Sequence, residues 1–149
     1  MSGLISSYKI LKEHNLVIEY HSGILDFESF IEFVNKKISD PKFSLDLDHL
    51  IDFRDVTFNT TENDITKSVG FFAKEILTKG EKRNIAVLTS TPKQVVSTTL
   101  YKIKQQENNS LVTIEIFSTN KRALEWLNIK TISINEIIAI NKSLKRLKT

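Results

Sequence analysis

The chain contains no cysteine. That excludes disulfides, thiolate nucleophiles and cysteine-based zinc sites. Glycine and proline are scarce, 4 and 2 in 149 residues. A backbone phosphate cradle or a flexible linker has little material to form from. There is no G-x-G-x-x-G or G-x-x-x-x-G-K pattern, and no serine sits in a G-x-S-x-G elbow. No apolar run approaches the about 18 residues of a membrane-spanning helix. The opening MSGLISSYKILKEHN lacks the charged and then long apolar segments of a secretory signal, so a cytoplasmic location is the default expectation. A strong charge of one sign is missing too: 21 basic against 18 acidic residues leave +3. Lys79, Lys82, Arg83, Lys102 and Lys104 scatter among acids without interleaved aromatics, and no nucleic-acid partner is expected.

What is present is ordinary for a globular chain, with 40% hydrophobic and 26% charged residues. The length suits one domain, residues 1–149. Tyr8 to Glu13 and Leu16 to His21 read as a β-hairpin, with Asn15 suited to a left-handed turn and Ser22-Gly23 breaking the second strand. Asp26 caps a helix carrying Phe27, Phe30, Ile31, Val34 and Ile38 on one face, and Asp40-Pro41 ends it. Leu50 to Phe53 forms the next strand, followed by a loop from Val56 to Thr60. Thr61 opens a second helix with Ile65, Val69, Phe72, Ala73 and Ile76 inward, stopped at Lys79-Gly80.

Asn84 to Thr89 is a nearly continuous apolar run, as in an interior strand. Thr91, Pro92 and Gln94 make a strong helix start, and Val95, Val96, Thr99, Leu100 and Ile103 give the apolar stripe taken as its inner face. Leu111 to Phe117 is a fifth strand. Thr119 or Asn120 opens a short helix with Ala123, Leu124, Trp126 and Leu127. Ser133 and Glu136 form a capping box for a last helix, with Ile134, Ile137, Ile138, Leu144 and Leu147 inward and Lys142, Lys145, Arg146 and Lys148 outward. Docking on the sheet, with the cations complementing the helix dipole, is the simpler reading of that helix; contact with an anionic membrane surface is the alternative. The expected fold is α/β: a single-domain, mixed, mostly parallel sheet of about five strands, led by an antiparallel hairpin and covered by helices.

The leading hairpin, the strand ending Leu50-Ile51-Asp52-Phe53-Arg54, and the closing Ala123-Leu124-Glu125-Trp126-Leu127 resemble a STAS-like domain. Such domains occur in anti-sigma-factor antagonists, in sulfate-transporter tails and in stand-alone bacterial STAS/SEC14-like proteins. The resemblance covers Tyr8 to Leu127, with the helix at Ile134 to Leu147 appended. It implies a non-enzymatic regulatory or protein-interaction module, working through a protein partner or self-association. The alternative it implies is binding of a small apolar or lipid-like ligand. In antagonist members a Ser or Thr at the start of the helix after the third strand is phosphorylated, a position that falls here at Thr60 or Thr61. The local Asn59-Thr60-Thr61-Glu62-Asn63-Asp64 lacks the Asp-Ser pair and following glycine of that pattern, and its acids would repel a phosphate.

The remaining chemistry-bearing residues do not converge by spacing. Asp46 and Asp48 read as solvated, Asp52 as a partner of Arg54. Glu19 and Asp26 are poorly spaced for an acidic pair. His14, His21 and His49 read as surface or edge residues without metal-pair spacing. No metal, cofactor or catalytic set is expected. A candidate contact surface remains in Val56, Phe58, Asn59 and Phe71, beside the candidate switch residues Thr60 and Thr61. Folding Phe58 over the core is the competing reading.

Overall fold

The computed structural model describes residues 3–147; Lys148 lies outside them. The elements in order are β1 (Leu4–Leu11), β2 (Leu16–Leu25), α1 (Phe27–Ile38), β3 (Asp48–Phe58), α2 (Glu62–Phe72), β4 (Arg83–Leu88), α3 (Pro92–Gln106), β5 (Val112–Phe117), α4 (Asn120–Leu127) and α5 (Ile134–Arg146). The strands lie in the order β1-β2-β3-β4-β5. β1 pairs antiparallel with β2 and every later pair is parallel. Because the crossovers through α1, α2 and α3 all step the same way along the sheet, these helices share one face. α4 and α5 cover the other, where Leu124, Leu127, Ile137 and Leu144 pack on Leu16, Ile18, Leu50, Ala86 and Leu88. The α/β, mostly parallel architecture expected from the sequence is the one found.

The helix starts are local and were legible. Asp26, Thr61, Thr91, Thr119 and Ser133 each accept a hydrogen bond from a backbone amide in the first turn, and Thr61, Thr91 and Ser133 complete capping boxes. Asn15 takes the left-handed turn (φ 53°). Three expectations are corrected. β2 runs through Ser22-Gly23 to Leu25, because Gly23 at φ +88° lets the neighbouring strand approach: a Cβ there would stand 2.6 Å from the Gly3 carbonyl oxygen.

β3 likewise runs to Phe58, so the loop after it begins at Asn59. Its register shifts at a bulge, Tyr20 facing Asp52 but Ser22 facing Asp55. The extra residue flips the alternation, so Val56 and Phe58 stay on the same face as Ile51 and Phe53. Val56 and Phe58 are accordingly buried in the core, which leaves Asn59 and Phe71 as the exposed members of the expected contact surface.

The third correction concerns helix faces. In α3 the residues turned to the protein are Gln94, Thr98 and Gln105, while Val95, Val96 and Ile103 are exposed. The Gln94 side chain forces this. Its Oε1 accepts from the amides of Ser90 and Thr91, and its Nε2 donates to the carbonyls of Arg54 (3.1 Å) and Val56 (3.0 Å). Four bonds fixed inward outweigh the apolar stripe on the opposite side. In α5 the inward residues are Ile137, Asn141 and Leu144, with Ile134, Ile138 and Leu147 exposed. α5 docks on the hairpin, where the Ser7 hydroxyl donates to the Leu144 carbonyl. Among the described residues no helix is long and apolar enough to cross a membrane.

Candidate functional site

On the α1–α3 face the core is not filled. A cavity of about 150 Å³ runs between the sheet and the three helices. Its walls are mostly apolar: Leu25, Ile51, Phe53, Ile85, Val87 and Ile114 from the strands, Phe30, Val34, Ile65 and Phe72 from α1 and α2. Phe30 reaches across from α1 and meets Phe72 of α2 and Tyr101 of α3 edge to face, with ring centroids 5.8 and 6.4 Å apart. α2 does not end cleanly beside this space. It widens into a π-helical turn over Ala73–Leu77, and Ile76 and Leu77 line the cavity. Arg83 closes that turn by donating to the carbonyls of Ile76, Lys79 and Glu81.

The end of the cavity near the start of β3 holds a buried ionic network that the sequence did not suggest. Glu19, in the middle of β2, is 1% exposed. One carboxylate oxygen accepts from the Lys37 ammonium at 2.6 Å, the other from His21 Nε2 at 2.8 Å. His21 Nδ1 meets the Ser6 hydroxyl at 2.7 Å. Lys37 also donates to His49 Nε2 at 3.1 Å, and His49 Nδ1 donates to the Leu47 carbonyl. The aromatic rings of Phe33 and Phe43 flank the Lys37 ammonium. Burial alone would push the Glu19 carboxyl up; Lys37, with the hydrogen bond from His21, overrides it and holds the group below the usual carboxylate range. Burial, reinforced by Lys37, pushes His49 down to about 3, so its ring is neutral and free to accept from the lysine.

His21 and His49 are therefore interior residues, against the expectation that they sit at the surface or edge. A signal was present. Glu19 and His21 lie two apart in an otherwise apolar strand, so they share a face, and Lys37 follows Phe30, Phe33 and Val34 at core spacing. A strand with two polar residues on its inner face calls for a buried partner. His14 stays at the turn, bonded to Thr131. Asp52 is buried and binds Arg54 through two bonds of 3.0 and 2.9 Å. Asp48 accepts from the Asn84 amide and Asp46 from the Glu81 amide.

The other end of the cavity lies at the C-terminal edge of the strands, where α2 and α3 begin. Thr60, Asp64, Ser68, Ser97 and Thr98 line it. Thr60 and Thr61 are separated in role. Thr61 is exposed and its hydroxyl accepts from the Asp64 amide, while Asp64 accepts from the Thr61 amide. The Thr60 hydroxyl oxygen is buried without a partner. The hydroxyls of Ser68 and Thr98 are buried without partners as well. Burial pushes the nearby Tyr101 phenol up, with Ser68 beside it acting the other way, although no hydrogen bond joins the two.

No protein-family model matches the sequence, and no curated protein matches it. Among solved structures, an uncharacterized DUF3478-family protein from Shewanella loihica PV-4, described as having a SpoIIAA-like fold, is similar with a TM-score of 0.53. The match covers 85% of this chain and 95% of that one at 15% identity. A likeness at that identity speaks for the fold alone. It agrees with the strand order and the mixed pairing described above: the chain has a SpoIIAA-like, that is STAS-like, fold.

Proposed function

We propose that this STAS-like domain is a binding module for a small, largely apolar molecule held between the sheet and α1–α3. The observation that carries the reading is the cavity of about 150 Å³ with its predominantly aliphatic and aromatic walls. Native cores are packed to crystal density with few voids of this size, and an apolar void of comparable volume engineered into another protein takes up benzene or xenon. The SEC14 side of the sequence resemblance points the same way. The ionic network at one end is saturated by its own members, so it acts as a rigid floor and leaves the apolar walls to make the contacts. A toluene titration followed through methyl resonances tests this. Saturable shifts should appear at cavity methyls such as Ile65, Ile85, Val87 and Ile114. Shifts confined to the exposed Val96 and Ile103, or none, would overturn the reading.

A second reading, regulation through protein contacts, keeps one specific support. Phe71 forms an exposed apolar patch (47%) in the last turn of α2, at the opposite end of that helix from Thr60 and Thr61, where Asn59 is exposed. If this patch mediates self-association, Phe71→Ser shifts the sedimentation of the chain toward a smaller species. A phosphate on Thr60 or Thr61 in intact mass from the native host would support an antagonist-type switch. Unchanged sedimentation together with no phosphate under any condition would remove it.

A further inference from the structure

Three buried hydroxyls without partners, those of Thr60, Ser68 and Thr98, line one end of the same cavity. Ser68 and Thr98 are each 6% exposed. Each sits seven residues beyond a helix cap, Thr61 and Thr91, on adjacent helices that start at the same sheet edge, so they lie at matching depth. A serine or threonine inside a helix commonly satisfies itself on the carbonyl of the preceding turn. Thr66 does so with Glu62, but Ser68 and Thr98 do not. The orientation of α3 adds weight. The Gln94 clamp turns Thr98 inward and leaves Val95 and Val96 in solvent, an arrangement that apolar packing alone would reverse. A buried hydroxyl with no partner calls for an explanation, and a bound ligand supplies one.

Resting on the cavity-binding reading, we infer that Thr60, Ser68 and Thr98 form a polar subsite for a small neutral amphiphile of about ring size, bearing one hydroxyl or carbonyl group. The charge follows from what surrounds the cavity. Its cations are already engaged, Lys37 by Glu19 and His49, Arg83 by three carbonyls. Asp64 lines the hydroxyl end. A carboxylate or phosphate placed there would be buried without a countercharge and close to an acid. A neutral hydroxyl or carbonyl instead meets three hydroxyls able to donate or accept. The size follows from the volume, which suits a single ring. The Phe30, Phe72 and Tyr101 rings, set nearly perpendicular to one another, offer both faces and edges to an aromatic guest.

The test is a matched series, toluene, p-cresol and p-toluate, titrated into the full chain by calorimetry and methyl NMR. p-Cresol should bind at least tenfold tighter than toluene, and p-toluate should not bind. The double variant Ser68→Ala/Thr98→Val should bring p-cresol to the affinity of toluene and leave toluene unchanged or tighter. Thr98→Ser, which keeps the hydroxyl, should retain the preference if the double variant melts early. Equal binding of toluene and p-cresol overturns the subsite and leaves the cavity reading standing. No saturable binding of either overturns both. Tightest binding of p-toluate overturns the neutral head group, and a double variant that keeps the tenfold preference removes Ser68 and Thr98 from it.

Discussion

On the α4–α5 face, Leu16, Ile18, Leu50, Ala86, Leu88 and Ile137 are withdrawn from solvent and pack chiefly on one another. On the α1–α3 face the same strands present Glu19, His21 and His49 along with Ile51, Val87 and Ile114, and the helices add Lys37, Ser68 and Thr98. The first face is closed mostly by apolar contact, with a buried Asp52 paired to Arg54 and an inward Asn141; the other holds a buried ionic network, partnerless hydroxyls and a cavity. Close packing maximises dispersion and leaves no room for a guest. The second face gives up some of that stability, which the closed face must supply, in return for a space whose polar groups are held at defined positions. On the proposed reading, stability and recognition fall to opposite sides of one sheet.

The comparison is tested most severely at the ionic network. Lys37→Met leaves the Glu19 carboxylate buried beside two histidines without its cation, and should cost about 3–5 kcal/mol in urea denaturation. The pair Glu19→Gln/Lys37→Met should recover most of that loss. If Lys37→Met alone is harmless, the network is not the rigid floor described here. On the closed face, Ile137→Ala removes a fully buried side chain from a filled core and should cost about 2–5 kcal/mol.

Acid should act through the cavity face. His49 has a folded value of about 3 against an ordinary 6.5, so between these limits the unfolded chain binds a proton that the folded chain does not. Stability is therefore unaffected well above 6.5 and falls as the pH drops through the window, with a slope of about 1.4 kcal/mol per pH unit for one proton. Glu19, also held below its ordinary value of 4.5, adds to the loss under that pH. The groups facing His49 are Lys37, Glu19 and Arg83. His49→Gln, which can still accept from Lys37, should flatten the profile between pH 6.5 and 4.5; an unchanged slope would mean that another group carries it.

The smallest effect has the opposite sign. Thr98→Val keeps the shape and removes a buried hydroxyl that has no partner, so it should stabilise the ligand-free chain by about 1 kcal/mol, read as a rise in the denaturation midpoint. A loss of similar size would mean that the hydroxyl is satisfied in solution. No large-to-small change on the closed face is expected to raise stability.

The sequence by itself determined the elements, their order and the mixed, mostly parallel sheet, because strand alternation, helix periodicity and caps are all local signals. Asp26, Thr61, Thr91 and Ser133 act where the sequence placed them. The inward faces of α2 and α4 also followed the apolar stripe, whereas tertiary structure alone decided which faces of α3 and α5 turn inward and which polar residues meet. The amide of Gln94 is committed to the carbonyls of Arg54 and Val56, 40 and 38 residues earlier, and Lys37 to Glu19, 18 residues earlier. A hydrophobic stripe predicts burial only while no stronger long-range bond holds the opposite side inward. In α3 two such bonds do, and they bring Thr98 to the cavity while Val96 faces solvent.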